Sequence, residues 1–271
     1  MILVNGQAAD AVNALDRGLA YGDGVFRTLR THAGQPLWWS DHYTKLASDC
    51  TALALNCPDG TLLHAEVCQV AEVGQGIVKI MLTRGVGARG YALPIGNGCG
   101  CTRIVLSAPL PPHAHADAPS DITVRWCALR LARQPRLAGI KHLNRLENVL
   151  ARAEWDDPAI FEGILCDDRG LVVSGVMCNL FWVREGELFT PDLSECGVAG
   201  VARARLLRAA ARLGIRSHIG RLRPETILAA DEVMICNSVI GVRRVARLDD
   251  VTWLPAGWTT KLNNALYEDV D

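Results

Sequence analysis

The stretch LAGIKHLNRLENVL, residues 137–150, decides how the chain is read. It passes from Gly139 and Ile140 to a lysine at 141, and RLENVLARAEW (145–155) then has the apolar spacing of a helix. Lys141 therefore stands at a loop–helix junction. Upstream, ITVRWCALR (122–130) predicts a strand. Downstream, IFEGILCD (160–167) and NLFWV (179–183) predict two more. VARARLLRAAARLG (201–214) is an amphipathic helix opening after Gly200, PETILAAD (224–231) is a short helix with Pro in its first turn, and EVMICN (232–237) is a strand.

The N-terminal half mixes elements in the same way. MILVNG (1–6) and VFRTLRTHAG (25–34) are strands running into turns. Ser40 is a candidate N-cap for a helix whose apolar face includes Leu46, Leu53 and Leu55. TLLHAEVCQVAEV (61–73) is a second helix, and IVKIMLTRG (77–85) and TRIVLSA (102–108) are strands. APLPPHAHADAPSD (108–121) has no periodicity and is rich in Pro, Ala and His. The expected organisation is a smaller N-terminal domain over 1–108, a linker over 109–120 and a larger C-terminal domain over 121–271 that carries Lys141. Strands and helices mix without regular βαβ alternation, so the expected class is α+β.

Composition narrows the function classes. The chain has 271 residues, 49% hydrophobic and 21% charged, with 28 basic against 29 acidic residues. There is no global basic field to attract nucleic acid or an anionic membrane. No apolar run has the length of a membrane span, and MILVNGQAAD lacks the basic and apolar regions of an export signal, so the expected location is cytoplasmic. Ten cysteines contain no CxxC pair; the close pair is Cys99 and Cys101 in GNGCGC. They are expected as reduced, mostly buried thiols, with no metal site. His113 and His115 are read as solvated linker residues.

Three features could carry chemistry. Four of the 28 basic residues are lysines, at 45, 79, 141 and 261. Lys141 is either a solvated junction residue or, if desolvated, a nucleophilic amine. Gly200 before a helix is either a cap or the start of a phosphate site, since free N–H groups and the helix dipole favour an anion. TRGVGARGYALP (83–94) carries Arg84, Arg89 and Tyr91 among glycines, either as a solvated hairpin or as a grip for carboxylates. No G-x-S-x-G elbow, Walker A motif, HExxH or Rossmann fingerprint is present.

Taken in order, DRGLAYGDGVF (16–26), HYTKL (42–46), GIKHLNRLENVL (139–150), SGVMCNLFWV (174–183), GVAGVARAR (197–205) and ADEVMICNSVIGV (230–242) resemble the fold-type IV family of pyridoxal-phosphate enzymes over nearly the whole chain. TRGVGARGY (83–91) and LAGIKHLNRLENVL are similar to its aminodeoxychorismate lyase branch. The resemblance implies a two-domain α+β fold of the D-amino-acid aminotransferase type. It further implies pyridoxal 5′-phosphate as cofactor, a homodimer, and each cofactor near the domain boundary. Lys141 matches the lysine joined covalently to the cofactor aldehyde. Gly200, Val201 and Ala202 match the turn holding the phosphate, and Ser238 matches a hydroxyl on the same phosphate. Asn179 matches the family's Asn in that motif. Lys45 matches a position where the family usually has a phosphate-binding Arg; lysine keeps the charge and loses the bidentate fork.

Two departures bear on activity. Ser174 stands where the family has the Glu that keeps the pyridine nitrogen protonated. Its loss weakens the electron sink, which weighs more on transamination than on an elimination whose product is aromatic. Arg27 stands where many aminotransferases of the family have Glu, and the added cation suits an anionic substrate. The implied function is a lyase releasing pyruvate and 4-aminobenzoate from 4-amino-4-deoxychorismate for folate biosynthesis, with Arg27, Arg89 and Tyr91 on the substrate. The alternatives are a D-amino-acid or branched-chain aminotransferase, or a non-catalytic pyridoxal-phosphate-binding protein.

Overall fold

Alternation of apolar and polar residues along the N-terminal strands builds a one-sided sheet. In the computed structural model, which describes residues 1–87, 89–93, 100–115 and 121–268, the contacts group into two units. The first comprises Met1–Pro111 and Ile140–Asn144; the second comprises Pro112–Gly139 and the described residues from Arg145 onward.

Among the described residues, the first unit holds strands β1 (Ile2–Val4), β2 (Gln7–Ala8), β3 (Gly24–His32), β4 (Gln35–Pro36), β5 (Gln75–Thr83) and β6 (Thr102–Pro109), and helices α1 (Arg17–Tyr21), α2 (Trp39–Ala52) and α3 (Gly60–Val70). The strands form an antiparallel sheet in the order β2-β1-β6-β5-β3-β4. Along β3 the buried positions include Val25, Arg27, Leu29 and Thr31, and along β5 they include Val78, Ile80 and Leu82. α2 packs on β3, and α3 packs on β4, β5 and β6. Leu46 of α2 and Leu63 and Val67 of α3 close the core over Val25, Leu29, Val78, Ile80 and Leu82. α2 begins one residue before Ser40: its cap is Trp38, buried and in the left-handed region (φ 57°), so Ser40 lies inside the first turn. Burial of the Trp38 indole fixes that start, which a preference for Ser at caps does not register.

The second unit holds a 3₁₀ turn at Pro112–Ala114, strands β7 (Asp121–Leu131), β8 (Ile160–Asp167), β9 (Val172–Gly175), β10 (Asn179–Arg184), β11 (Glu187–Pro191), β12 (Ser217–Gly220), β13 (Glu232–Asn237), β14 (Gly241–Leu248) and β15 (Val251–Thr252), and helices α4 (Leu146–Arg152), α5 (Val201–Arg212), α6 (Pro224–Leu228) and α7 (Trp258–Leu266). Its sheet runs β12-β11-β10-β13-β14-β7-β8-β9, with β15 on β14. The pairs β11–β12, β14–β7 and β7–β8 are parallel. β10 and β13, at its centre, are buried along nearly their whole length, as strands covered on both faces are. α5 and α7 pack on each other and on β13 and β14.

The sequence places Lys141 in the C-terminal domain. Its contacts place the segment 140–144 with the first unit, because a bridge pairs Val25 with His142, and Phe26 and Leu143 donate to the carbonyls of Lys141 and Gly24. Part of the expected linker, residues 116–120, and Cys99 lie outside the described residues. His113 is exposed, as expected, and its ring also packs within the second unit. Its ring stands edge-on to Phe161 at 5.4 Å, and burial, together with the Arg243 cation, holds its pKa below the usual value. Nine described cysteines are free thiols and six of them are buried. No helix among the described residues is long and apolar enough to cross a membrane.

Candidate active site

In the first unit the site is built on β3. The Lys141 carbonyl accepts from the Phe26 N–H (2.9 Å), and the Lys141 N–H donates to Asp49 Oδ2 (3.1 Å). Asn144 Nδ2 donates to the Gly22 carbonyl (3.0 Å), so the segment is tied at both ends. The Lys141 amine lies over the Phe26 ring, 4.4 Å from its centroid, and the Lys79 amine lies 5.1 Å from the same ring. The aromatic face offers the ammonium its negative quadrupole.

Asp49 is the centre of a charged cluster. It is buried, as is Arg27, whose guanidinium pairs with Oδ2; the Lys45 amine pairs with Oδ1. Burial lowers the pKa of both cations, and Asp49 works against that in each case. Arg27, read from the sequence as a ligand for substrate, is thus committed to Asp49, with a longer contact to the Lys45 carbonyl at 3.4 Å.

Arg84 is also committed. It forks onto Asp23 and donates to the carbonyls of Leu53 and Ala54. Arg17 takes the same carboxylate, and its Nη1 donates to the Gly90 carbonyl, while the Gly90 N–H donates to the Tyr21 hydroxyl. Burial is the largest single effect and raises the Asp23 carboxyl, but the hydrogen bonds and charges of Arg84 and Arg17 together hold it below the usual range. This anchoring leaves Arg89 and Tyr91 exposed, with the Tyr91 ring tilted on Tyr21 at 5.3 Å. The stretch 83–91 therefore offers Arg89, not Arg84, to an anion.

In the second unit Asn179 shapes the turn before α5. Its Nδ2 donates to the Val198 carbonyl (2.8 Å) and its Oδ1 accepts the Gly200 N–H (3.1 Å). A Cβ on Gly200 would lie 2.4 Å from that Oδ1, so only glycine fits. Gly200 caps a helix whose first turn contains no acidic residue, and Val201 and Ala202 are buried. N–H groups at such a glycine-capped end suit a phosphate. Ser174 on β9 is buried, and its hydroxyl donates to the Gly175 carbonyl at 2.8 Å. Ser238 lies in the turn between β13 and β14, where Asn237 Oδ1 accepts the N–H groups of Val239 and Ile240.

Two carboxylates escape a reading of the sequence. One is Asp49. The other is Glu162 of β8, fully buried, which accepts the N–H groups of Gly163, Val176 and Met177 at 3.0–3.1 Å and so fixes the loop between Ser174 and Asn179. Burial pushes its carboxyl up, against hydrogen bonds from Cys178 and those N–H groups. Both lie on buried faces: Asp49 at helical spacing from His42 and Leu46, and Glu162 inside the buried run of β8. That coincidence of a charge with an apolar row was the available signal.

The chain belongs to the class IV amino-transferase family, whose model matches residues 24–248. It is 42% identical to the crystal structure of 4-amino-4-deoxychorismate lyase from Pseudomonas aeruginosa, with a TM-score of 0.92 and 99% of each chain covered. It is 35% identical to an aminodeoxychorismate lyase of Vibrio harveyi, over 91% of this chain and 90% of the relative. A hypothetical aminotransferase from Mycobacterium tuberculosis in PLP-bound form shares the fold at 19% identity, with a TM-score of 0.81 and coverage of 98% and 97%. Members of this family are pyridoxal-phosphate enzymes, and the residues here fit that group: an amine on an aromatic face, and a glycine turn that a single methyl would fill.

Proposed function

We propose that the protein is a 4-amino-4-deoxychorismate lyase, releasing pyruvate and 4-aminobenzoate. The observation that carries this is Lys141, fixed through both its N–H and its carbonyl with its amine on the Phe26 face. The similarity to two lyases over nine-tenths or more of the chain supports it. Lys141 would hold pyridoxal 5′-phosphate covalently, and Gly200, Val201 and Ala202, with Ser238 and Lys45, would hold its phosphate. Asn179 keeps that turn in shape.

Pyridoxal 5′-phosphate, when bound, supplies the aldehyde that receives the substrate amine and the ring that withdraws electrons. The protein's part is proton transfer and orientation. The Lys141 amine takes the proton from the amine-bearing ring carbon of the substrate, acting as general base. The enolpyruvyl ether bond would break as the ring becomes aromatic, the oxygen leaving with its three-carbon group as enolpyruvate, which takes up a proton at its methylene carbon to become pyruvate. Aromatisation drives the step, so it asks little of the Ser174 hydroxyl, which already donates to Gly175. Arg89 and Tyr91 are the proposed ligands of the substrate carboxylates, while Arg27 serves to hold Asp49. The same reading gives a cytoplasmic homodimer, for which Leu146, Val149 and Leu150, an exposed apolar row on α4, provide a contact face.

The test is direct. Purified, loaded protein given 4-amino-4-deoxychorismate should release 4-aminobenzoate and pyruvate in equal amounts. With D-alanine or L-leucine and 2-oxoglutarate it should transfer little amine. Amine transfer without 4-aminobenzoate would make it an aminotransferase instead; colour without either reaction would make it a binding protein.

Gly200→Ala tests the phosphate turn. The added Cβ displaces Asn179 Oδ1 and opens the clamp on residues 198–200. Affinity for pyridoxal 5′-phosphate, measured by fluorescence titration, should fall roughly tenfold, the cost of about one hydrogen bond. Unchanged affinity would remove the turn from the site.

A further inference from the structure

We propose that Asp49 is a positioning residue for Lys141, a buried carboxylate that both fixes the backbone of residue 141 and balances the charge around its amine. The inference rests on Lys141 being the reactive lysine. Asp49 is one of the least exposed side chains of the first unit, and three chain segments meet on it. Arg27 arrives from β3, Lys45 from its own helix α2, and the Lys141 N–H from the segment 140–144. Since Phe26 takes the Lys141 carbonyl, the residue is held on both sides and its amine moves only through its own side-chain torsions. A base held in this way needs no search for its proton.

The charges around residue 141 come from several elements, that of Asp49 meeting its backbone N–H and that of Lys79 meeting the Phe26 ring under its amine. β3 contributes Arg27, β5 contributes Lys79 over the shared Phe26 ring, and α2 contributes Lys45, Asp49 and the neighbouring thiol of Cys50. His142 follows in the chain. Asp23, beside Gly24 where the segment is tied, is shared between Arg17 and Arg84. Asp49 is therefore the carboxylate that offsets Arg27 and Lys45. Without it, Arg27 and Lys45 lose the carboxylate they share beside the backbone of residue 141, and the added positive charge disfavours the ammonium form of its amine.

The test is a charge series on the full chain. Asp49→Asn keeps the shape and an oxygen for the Lys141 N–H but deletes the negative charge. Arg27→Met deletes one positive charge, and the double variant deletes both. Two midpoints are followed against pH: acetylation of Lys141 by acetic anhydride in the unloaded chain, read by peptide mass spectrometry, and the visible absorption of the loaded protein. Asp49→Asn should lower both by about one unit, Arg27→Met should raise them by a similar amount, and the double variant should return to within about 0.3 unit of the parent. A merely structural part would give no such reversal. Shifts of the same sign in both single variants, or none in either, overturn the proposal. If Asp49→Asn fails to fold, Arg27→Met decides alone: an upward shift supports it and an unmoved midpoint overturns it. Borohydride treatment separates this from the underlying reading, since failure to fix the cofactor on Lys141 would sink the reading of the reactive lysine itself.

Discussion

A Lys141→Ala protein folds, melts close to the parent and carries no borohydride-stable pyridoxal-phosphate adduct. The contacts that hold residue 141 are its N–H on Asp49 and its carbonyl on Phe26, and both survive loss of the side chain. What the fold loses is the amine over the ring, worth about 0.5–1 kcal/mol. What catalysis loses is both the covalent hold on the cofactor and the base. Positioned proton transfer alone contributes roughly 10²–10⁴-fold, so 4-aminobenzoate release should fall by about 10³-fold or more. Intact-mass spectrometry after borohydride reduction and a stopped product assay measure the two losses together. Full activity in the variant would mean the amine has been assigned to the wrong residue.

The second large effect is on stability. Glu162→Ala removes the carboxylate acceptor of the Gly163 and Met177 N–H groups and one of the two acceptors of the Val176 N–H, which keeps the Gly163 carbonyl. Buried donors stripped of partners cost about 1–3 kcal/mol each, partly recovered as the loop relaxes toward water. A net loss of about 3 kcal/mol is expected, or a fall of roughly 6–12 °C in Tm for a chain of this size. The loop concerned joins Ser174 to Asn179, so loosening it should also weaken the clamp on Gly200. Calorimetry on the unloaded variant gives the first effect, and cofactor titration gives the second. A Tm within a degree of the parent would show that solvent replaces the carboxylate at no cost.

Much of the fold was legible because several elements carry their own boundaries. β8 spans Ile160–Asp167 and β13 spans Glu232–Asn237, as their apolar runs predict, and α5 begins at Val201 directly after its glycine. Elements without such marks were not legible. β14, GVRRVARL, mixes arginines into a buried strand, and α7, WTTKLNNAL, is built from poor helix formers; each takes its form from the sheet or helix it packs on. The same divide runs through the site. Lys141, Gly200 and Asn179 sit in local motifs whose order identifies them. Asp49 does not: its role depends on α2 meeting β3 and on a partner 92 positions away, which no local window contains.

The path of the backbone has a consequence for dissection of this molecule. The chain leaves the first unit at Pro111, contributes Ile140–Asn144 back to it, and departs again at Arg145. A cut anywhere in 112–139 would therefore produce a first fragment lacking the five-residue insert that β3 pairs with, and a second fragment bearing a lysine stranded from its sheet. Neither piece expressed alone would be a working half. Coexpression would succeed only if the break were placed outside that interval, or if the severed pentapeptide found its way back onto the edge of β3.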